Sequence, residues 1–166
     1  MRTGIALGSN VGDRLEHLRT GRDQILLAPG VAGPILSSSV YETEPVGPDA
    51  GTEPFLNAVV EVEFRRHASE LLDALQRIEA AHGRPSKRPR NAPRTLDLDI
   101  LYVGNLVLSN QEVVIPHPRL HLRRFVLTPL ADIRPELVLP GQHRSIAELL
   151  AGVEDSTAVE RKAAVW

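Results

Sequence analysis

The segment TLDLDIL, residues 95–101, sets Asp97 and Asp99 at alternate positions of an apolar run. On a β-strand successive side chains point to opposite faces, so the two carboxylates share one face and Leu96, Leu98 and Ile100 the other. Their Cα atoms then lie roughly 6–7 Å apart, close enough for the side chains to share one or two divalent ions. Carboxylate oxygens completed by phosphate oxygens and water suit Mg²⁺. A bare DxD is more often a solvated strand face, and it is the neighbourhood that changes the reading. Arg84, Lys87, Arg88, Arg90 and Arg94 precede the aspartates with no acid among them, and guanidinium forks hold phosphate well. A nucleic-acid surface would want aromatic side chains for stacking, and residues 84–101 contain none. A small phosphorylated anion, held by arginine directly and by carboxylate through a metal, fits the pattern better. IPHPRLHLRRF adds His117, Arg123 and Arg124, while Gln76 and Glu79 stand three apart just ahead of the basic loop, hence on one side of a helix. A lone His between prolines is more often packed or at the surface than a ligand. The chain has no GxxxxGK[ST] and no GxGxxG, which excludes a P-loop enzyme.

These groups need elements to position them. Thr3 to Leu7 reads as a strand leaving through Gly8-Ser9-Asn10. Asp13 caps a helix carrying Leu15, Leu18, Ile25 and Leu26, stopped by Pro29-Gly30. Residues 35–43 form a second strand, and Leu56 to Phe64 a third with one wet face. Between them EPVGPDAGTEPF is shaped by its prolines into a loop. A second helix runs from about Ser69 to His82 with Leu71, Leu75 and Ile78 on its core stripe. Leu96 to Val103 is a strand, turned by Gly104-Asn105 into a hairpin with LVLS. Short helices are expected over Phe125 to Ile133 and around Ser145 to Leu150, and the tail from Gly152 to Trp166 reads either as frayed or as docked through Trp166. The order βαββαβ with hairpin links predicts a ferredoxin-like α+β sandwich, a mostly antiparallel sheet with helices packed on it.

At 166 residues the chain suits a single domain, 1–166, with 152–166 as a loosely docked tail. A net charge of −2 excludes a globally basic nucleic-acid binder, and the lack of cysteine excludes disulfides, a thiolate zinc site and a Cys nucleophile. The N-terminal apolar run is too short for a secretory signal and no segment approaches a membrane span, so a cytoplasmic protein is expected. Only Lys87 and Lys162 of the 19 basic residues are lysine, so single arginines carry little weight.

The segments ALGSNVGDR (6–14), YETEPVGP and FLNAVVEV (41–62), RIEAAHGR (77–84), PRTLDLDILYVGN (93–105) and IPHPRLHLRRFVLTPLADI (115–133) occur in this order over most of the chain. Together they resemble the 6-hydroxymethyl-7,8-dihydropterin pyrophosphokinase family of folate biosynthesis. The resemblance implies transfer of pyrophosphate from ATP to the pterin hydroxymethyl oxygen with release of AMP. It implies Mg²⁺, two ions, on Asp97 and Asp99, and Arg84 and Arg94 as catalytic beside them. It places Gln76, Glu79, Arg84, Arg94, Ile100, His117 and Arg123 against ATP. It assigns Thr43, Pro45 and Val46 to the edge of the pterin ring, Asn57 to a hydrogen bond with it, and Phe55 and Phe125 to its two faces. Such a flat ring does want two aromatic plates and a few fixed polar groups. Where many relatives read RWGPRT this chain reads RNAPRT, with Asn91 and Ala92 in place of Trp and Gly, and Ser86 stands where some carry Arg. The partners implied are small molecules with no nucleic acid or membrane, and the chain is expected to be a monomer. Rival readings are a DxD-type nucleotidyl or glycosyl transferase, which has no use for Phe55 and Phe125, a ferredoxin-like RNA-binding module using Arg84 to Arg94, and a homologue that binds without catalysing.

Overall fold

The computed structural model describes residues 1–45, 53–83 and 95–166. Strand β1 (Arg2–Ser9) leads to helix α1 (Arg14–Leu26), whose first turn is capped by the Asp13 carboxylate accepting the Glu16 N–H at 3.1 Å. Leu18 and Ile25 of α1 are fully buried, whereas Leu26 rolls outwards. Two strands follow instead of the single expected one: β2 (Val31–Ser37) and β3 (Val40–Thr43). The break falls at Ser38, whose N–H donates to the Val59 carbonyl while its hydroxyl accepts the Val59 N–H and donates to Ser39 O. A serine that bonds the neighbouring backbone in this way competes with regular pairing, and the chain turns there. Strand β4 (Phe55–Phe64) is long enough to pair β3 through its first residues and β2 through its last.

Helix α2 (Ala68–Ala81) buries Leu71, Leu75 and Ile78 as its apolar stripe requires, and β5 (Asp97–Val103) follows. The expected hairpin between β5 and LVLS does not form. Leu108–Ser109 (β6) pairs instead with Val114–Ile115 (β7) as a separate two-stranded sheet, because Gly104 turns back to donate its N–H to Arg2 O. A 3₁₀ turn (Leu120–Leu122), α3 (Arg124–Ile133) and α4 (Ile146–Gly152) come next. The tail then adds a strand not expected from the sequence, β8 (Val159–Ala163), on β3. Trp166 is buried, and its indole N–H donates to Ser38 O at 2.7 Å.

The main sheet runs β5-β1-β4-β3-β8, with β2 beside β4 on the β3 side, and every pairing is antiparallel. One apolar cluster lies between the sheet and the first two helices, containing Ile5, Leu7, Val60, Leu98 and Ile100. The second, containing Val59, Leu101, Leu127, Leu130 and Leu149, lies under α3 and α4. The sheet is therefore covered on both faces. Between Gly4 and Ile5 the β1–β5 register shifts, Ile5 facing Ile100 and Gly4 facing Tyr102, so Leu101 is the extra residue of a bulge. Gly4 is needed there, since a Cβ would lie 2.3 Å from the Tyr102 ring.

Candidate active site

Strand β5 is the outer strand of the main sheet, and alternation works on it as expected up to the bulge. Leu98 and Ile100 turn into the core under α1 and α2, while Asp97 and Asp99 stay half-buried on the opposite face. Both aspartates line a cleft of about 40 Å³ with Ala6, Gly8, Asn57, Phe125 and Val126. Asp99 also borders a second, larger cavity of about 250 Å³ with Leu72, Ile100, Val113, His117 and Pro118. Asp99 thus borders both cavities, and Asp97 the first alone.

Each cavity is built by a recognisable device. On the first side, the Asn57 amide donates to Thr43 Oγ1 at 2.9 Å, with both residues buried. That bond orients the amide, leaving its carbonyl oxygen beside Gly8. Phe55 stands two residues before Asn57 and so on the same face of β4, paired across to Thr43, but it lines neither cavity. Phe125, at the start of α3, closes the cleft from above. Among the described residues, Arg123 is the arginine over this ring, its guanidinium carbon 5.6 Å from the Phe125 centroid, within cation–π range. Arg124 is otherwise engaged: its N–H donates to Asp155 Oδ2 at 3.0 Å and its Nε to Asp155 O at 2.7 Å.

On the second side, the bulge places His117. Its N–H donates to the Leu101 carbonyl at 2.8 Å, and its Nδ1 accepts the Arg119 N–H at 3.1 Å. Burial, reinforced by the charges of Arg123 and then Arg119, lowers its pKa to about 4, against a weaker opposing pull from Asp97. His117 is therefore neutral at pH 7. With Nδ1 accepting, the proton sits on Nε2, which makes the ring a hydrogen-bond donor.

Glu79 has a task its position in sequence did not disclose. It is only 4% exposed, and its carboxylate accepts the Leu98 N–H at 2.8 Å. Leu98 lies between the two aspartates, so α2 pins the strand from its outer edge at that point. Gln76, three residues earlier, is exposed and lines neither cavity. Pro45 is half-buried beyond the end of β3. Val46, Arg84 and Arg94 lie outside the described residues. Among the described residues no group of three or more His, Cys, Asp or Glu could hold a metal by itself. Two oxygen-donor carboxylates at a cleft nonetheless fit Mg²⁺, which takes few protein ligands and keeps water or phosphate for the rest.

Residues 4–135 match the model of the family described as 7,8-dihydro-6-hydroxymethylpterin-pyrophosphokinase (HPPK). The chain is 38% identical over 156 residues to the 2-amino-4-hydroxy-6-hydroxymethyldihydropteridine pyrophosphokinase of Haemophilus influenzae, covering 94% of this chain and 95% of that one. It is 43% identical over 130 residues to the enzyme of the same name from Bacillus subtilis, covering 78% and 75%. Among solved structures it is similar to a Plasmodium falciparum HPPK-DHPS, with a TM-score of 0.66 and 16% identity, covering 90% of this chain and 44% of that one. Another HPPK-DHPS structure, in complex with substrates, gives a TM-score of 0.69 at 13% identity, covering 90% and 42%. The chain therefore spans less than half of those two proteins, and their likeness shows the fold alone. By the family match and the identity of its relatives, this chain belongs to the 7,8-dihydro-6-hydroxymethylpterin-pyrophosphokinase family.

Proposed function

We propose that this protein is an ATP-dependent diphosphotransferase that moves the pyrophosphoryl group of ATP to the hydroxymethyl oxygen of 6-hydroxymethyl-7,8-dihydropterin. The observation that carries this reading is the meeting of two differently built cavities at Asp99, one with an oriented amide and an aromatic plate, the other with a donor imidazole. The pterin oxygen bonds to the β-phosphorus as the bond from that phosphorus to the α–β bridging oxygen breaks. AMP keeps the bridging oxygen, and the hydroxyl proton is released.

The first cavity takes the pterin: Phe125 and Phe55 cover its faces, and Asn57, held by Thr43, reads its polar edge, with Pro45 and Val46 alongside. The second takes the nucleoside of ATP, against Ile100 and the Nε2–H of His117. Asp97 and Asp99 would hold Mg²⁺, two ions on this reading, supplying neutralisation of charge on the triphosphate. Arg123 and, by position in the family motifs, Arg84 and Arg94 hold phosphate oxygens, while Gln76 attends the nucleotide and Glu79 keeps β5 in place. Catalysis then rests on positioning and charge stabilisation, with little covalent participation by the protein. The chain acts as a cytoplasmic monomer and needs no nucleic acid or membrane; among the described residues no helix is long and apolar enough to cross one.

The test is to mix protein, ATP, Mg²⁺ and hydroxymethyldihydropterin and follow AMP. The reading predicts AMP only when pterin is present. AMP formed equally without pterin would refute it, and salt-sensitive oligonucleotide binding with no turnover would favour the RNA-binding alternative.

A further inference from the structure

The C-terminal segment, downstream of the stretch matched by the family model at 4–135, reaches back to the pterin side of the cleft at two places. Val159 pairs with Thr43, the residue whose hydroxyl orients Asn57. Asp155 meets the first residue of α3. Arg123, the N-cap of that helix, makes no side-chain capping bond, so the leading N–H groups of α3 need an acceptor from elsewhere. Asp155 Oδ2 supplies it to Arg124 N–H at 3.0 Å, and Asp155 O accepts from Arg124 Nε at 2.7 Å. The remaining carboxylate oxygen accepts the Thr157 N–H at 3.0 Å, which holds the turn that presents Asp155. A carboxylate at a helix N-terminus is also favoured by the helix dipole.

From this geometry we infer that Asp155 is a positioning residue for the pterin side of the active site. It caps α3 across the fold and takes up Arg124, which sets Phe125 over the cleft and leaves Arg123 stacked on that ring. The two residues flanking Arg124 are thus oriented by one contact 31 positions away in sequence. The inference rests on the reading of Phe125 as a pterin plate given above. Tail anchoring continues beyond it: the Arg22 guanidinium lies 4.8 Å from the Trp166 ring centroid and donates to the Trp166 carbonyl.

The test uses the full chain and three variants, Asp155→Ala, Asp155→Asn and, as a remote control for lost stability, Glu61→Gln. KM for pterin and for ATP are measured separately, with amide exchange at Arg124 read alongside. Loss of the cap should raise KM for pterin about tenfold, raise KM for ATP by a clearly smaller factor because Arg123 is oriented by the same contact, and speed exchange at Arg124. Asp155→Asn, which keeps one oxygen for the Arg124 N–H, should recover most of the pterin affinity. Glu61→Gln should lower the melting temperature without splitting the two KM values. If Asp155→Ala fails to fold, the same split at reduced size is expected from Asp155→Asn. Equal rises in both KM values, or none, would overturn the inference. Wild-type chain that turns over no pterin at all would instead overturn the functional reading, and the Arg124 exchange rate would still decide whether Asp155 pins the helix.

Discussion

The same face of the sheet carries acids at both ends, and they are handled in opposite ways. At one end Glu61, 5% exposed, accepts the Tyr102 hydroxyl at 2.5 Å and two bonds at 3.0 Å from Arg134 Nε. Burial works to raise its pKa, but the bonds from Arg134 and Tyr102 outweigh burial and hold the carboxyl below the ordinary range. At the other end Asp97 and Asp99 are half-buried and border cavities. A buried charge met on all sides by the chain's own donors is part of the fold; charges beside an open cleft have room for a ligand.

That contrast can be broken by mutation. Asp97→Ala or Asp99→Ala should lower pterin-dependent turnover by about a thousandfold or more, with the melting temperature nearly unchanged. Wild-type turnover in both would remove the metal assignment. Glu61→Ala should do the reverse, costing about 3 kcal/mol in a denaturant titration because Arg134 and Tyr102 lose their partner, while the folded fraction retains activity. Since the Glu61 pKa is depressed in the fold, its contribution is present above about pH 4.5 and lost as pH falls through the folded value; the variant should show a flatter acid limb. Glu79→Ala, which leaves the Leu98 N–H without its buried acceptor, should cost about 1–3 kcal/mol and also lower turnover, as an element joining both roles. The smallest effect concerns His117. Its ring resonances should titrate near pH 4 instead of the ordinary 6.5. Between those values the unfolded chain binds more protons, so His117 withdraws stability as pH falls through that window and nothing above it; a midpoint near 6.5 would contradict its burial.

What was legible in the sequence was local. Period 2 in TLDLDIL put the aspartates on one face, and helical spacing found Leu18, Ile25, Leu71, Leu75 and Ile78. What was hidden depends on partners far along the chain. Period 2 cannot foresee the bulge at Leu101, whose carbonyl holds His117. Arg124 is taken up by Asp155, 31 positions along the chain, and LVLS pairs with Val114–Ile115 instead of β5. Gln76 and Glu79 share a helical side, yet one is exposed and the other buried, because β5 packs against only one of them. The tail's strand has exposed polar residues at its centre, so no apolar alternation announces it.

The most direct measurement follows the β-phosphorus. With ATP labelled at that atom and pterin present, the account predicts one labelled pterin diphosphate per AMP and no labelled orthophosphate. Label recovered as free phosphate or pyrophosphate, at a rate indifferent to pterin, would contradict intact transfer across the Asp97–Asp99 junction.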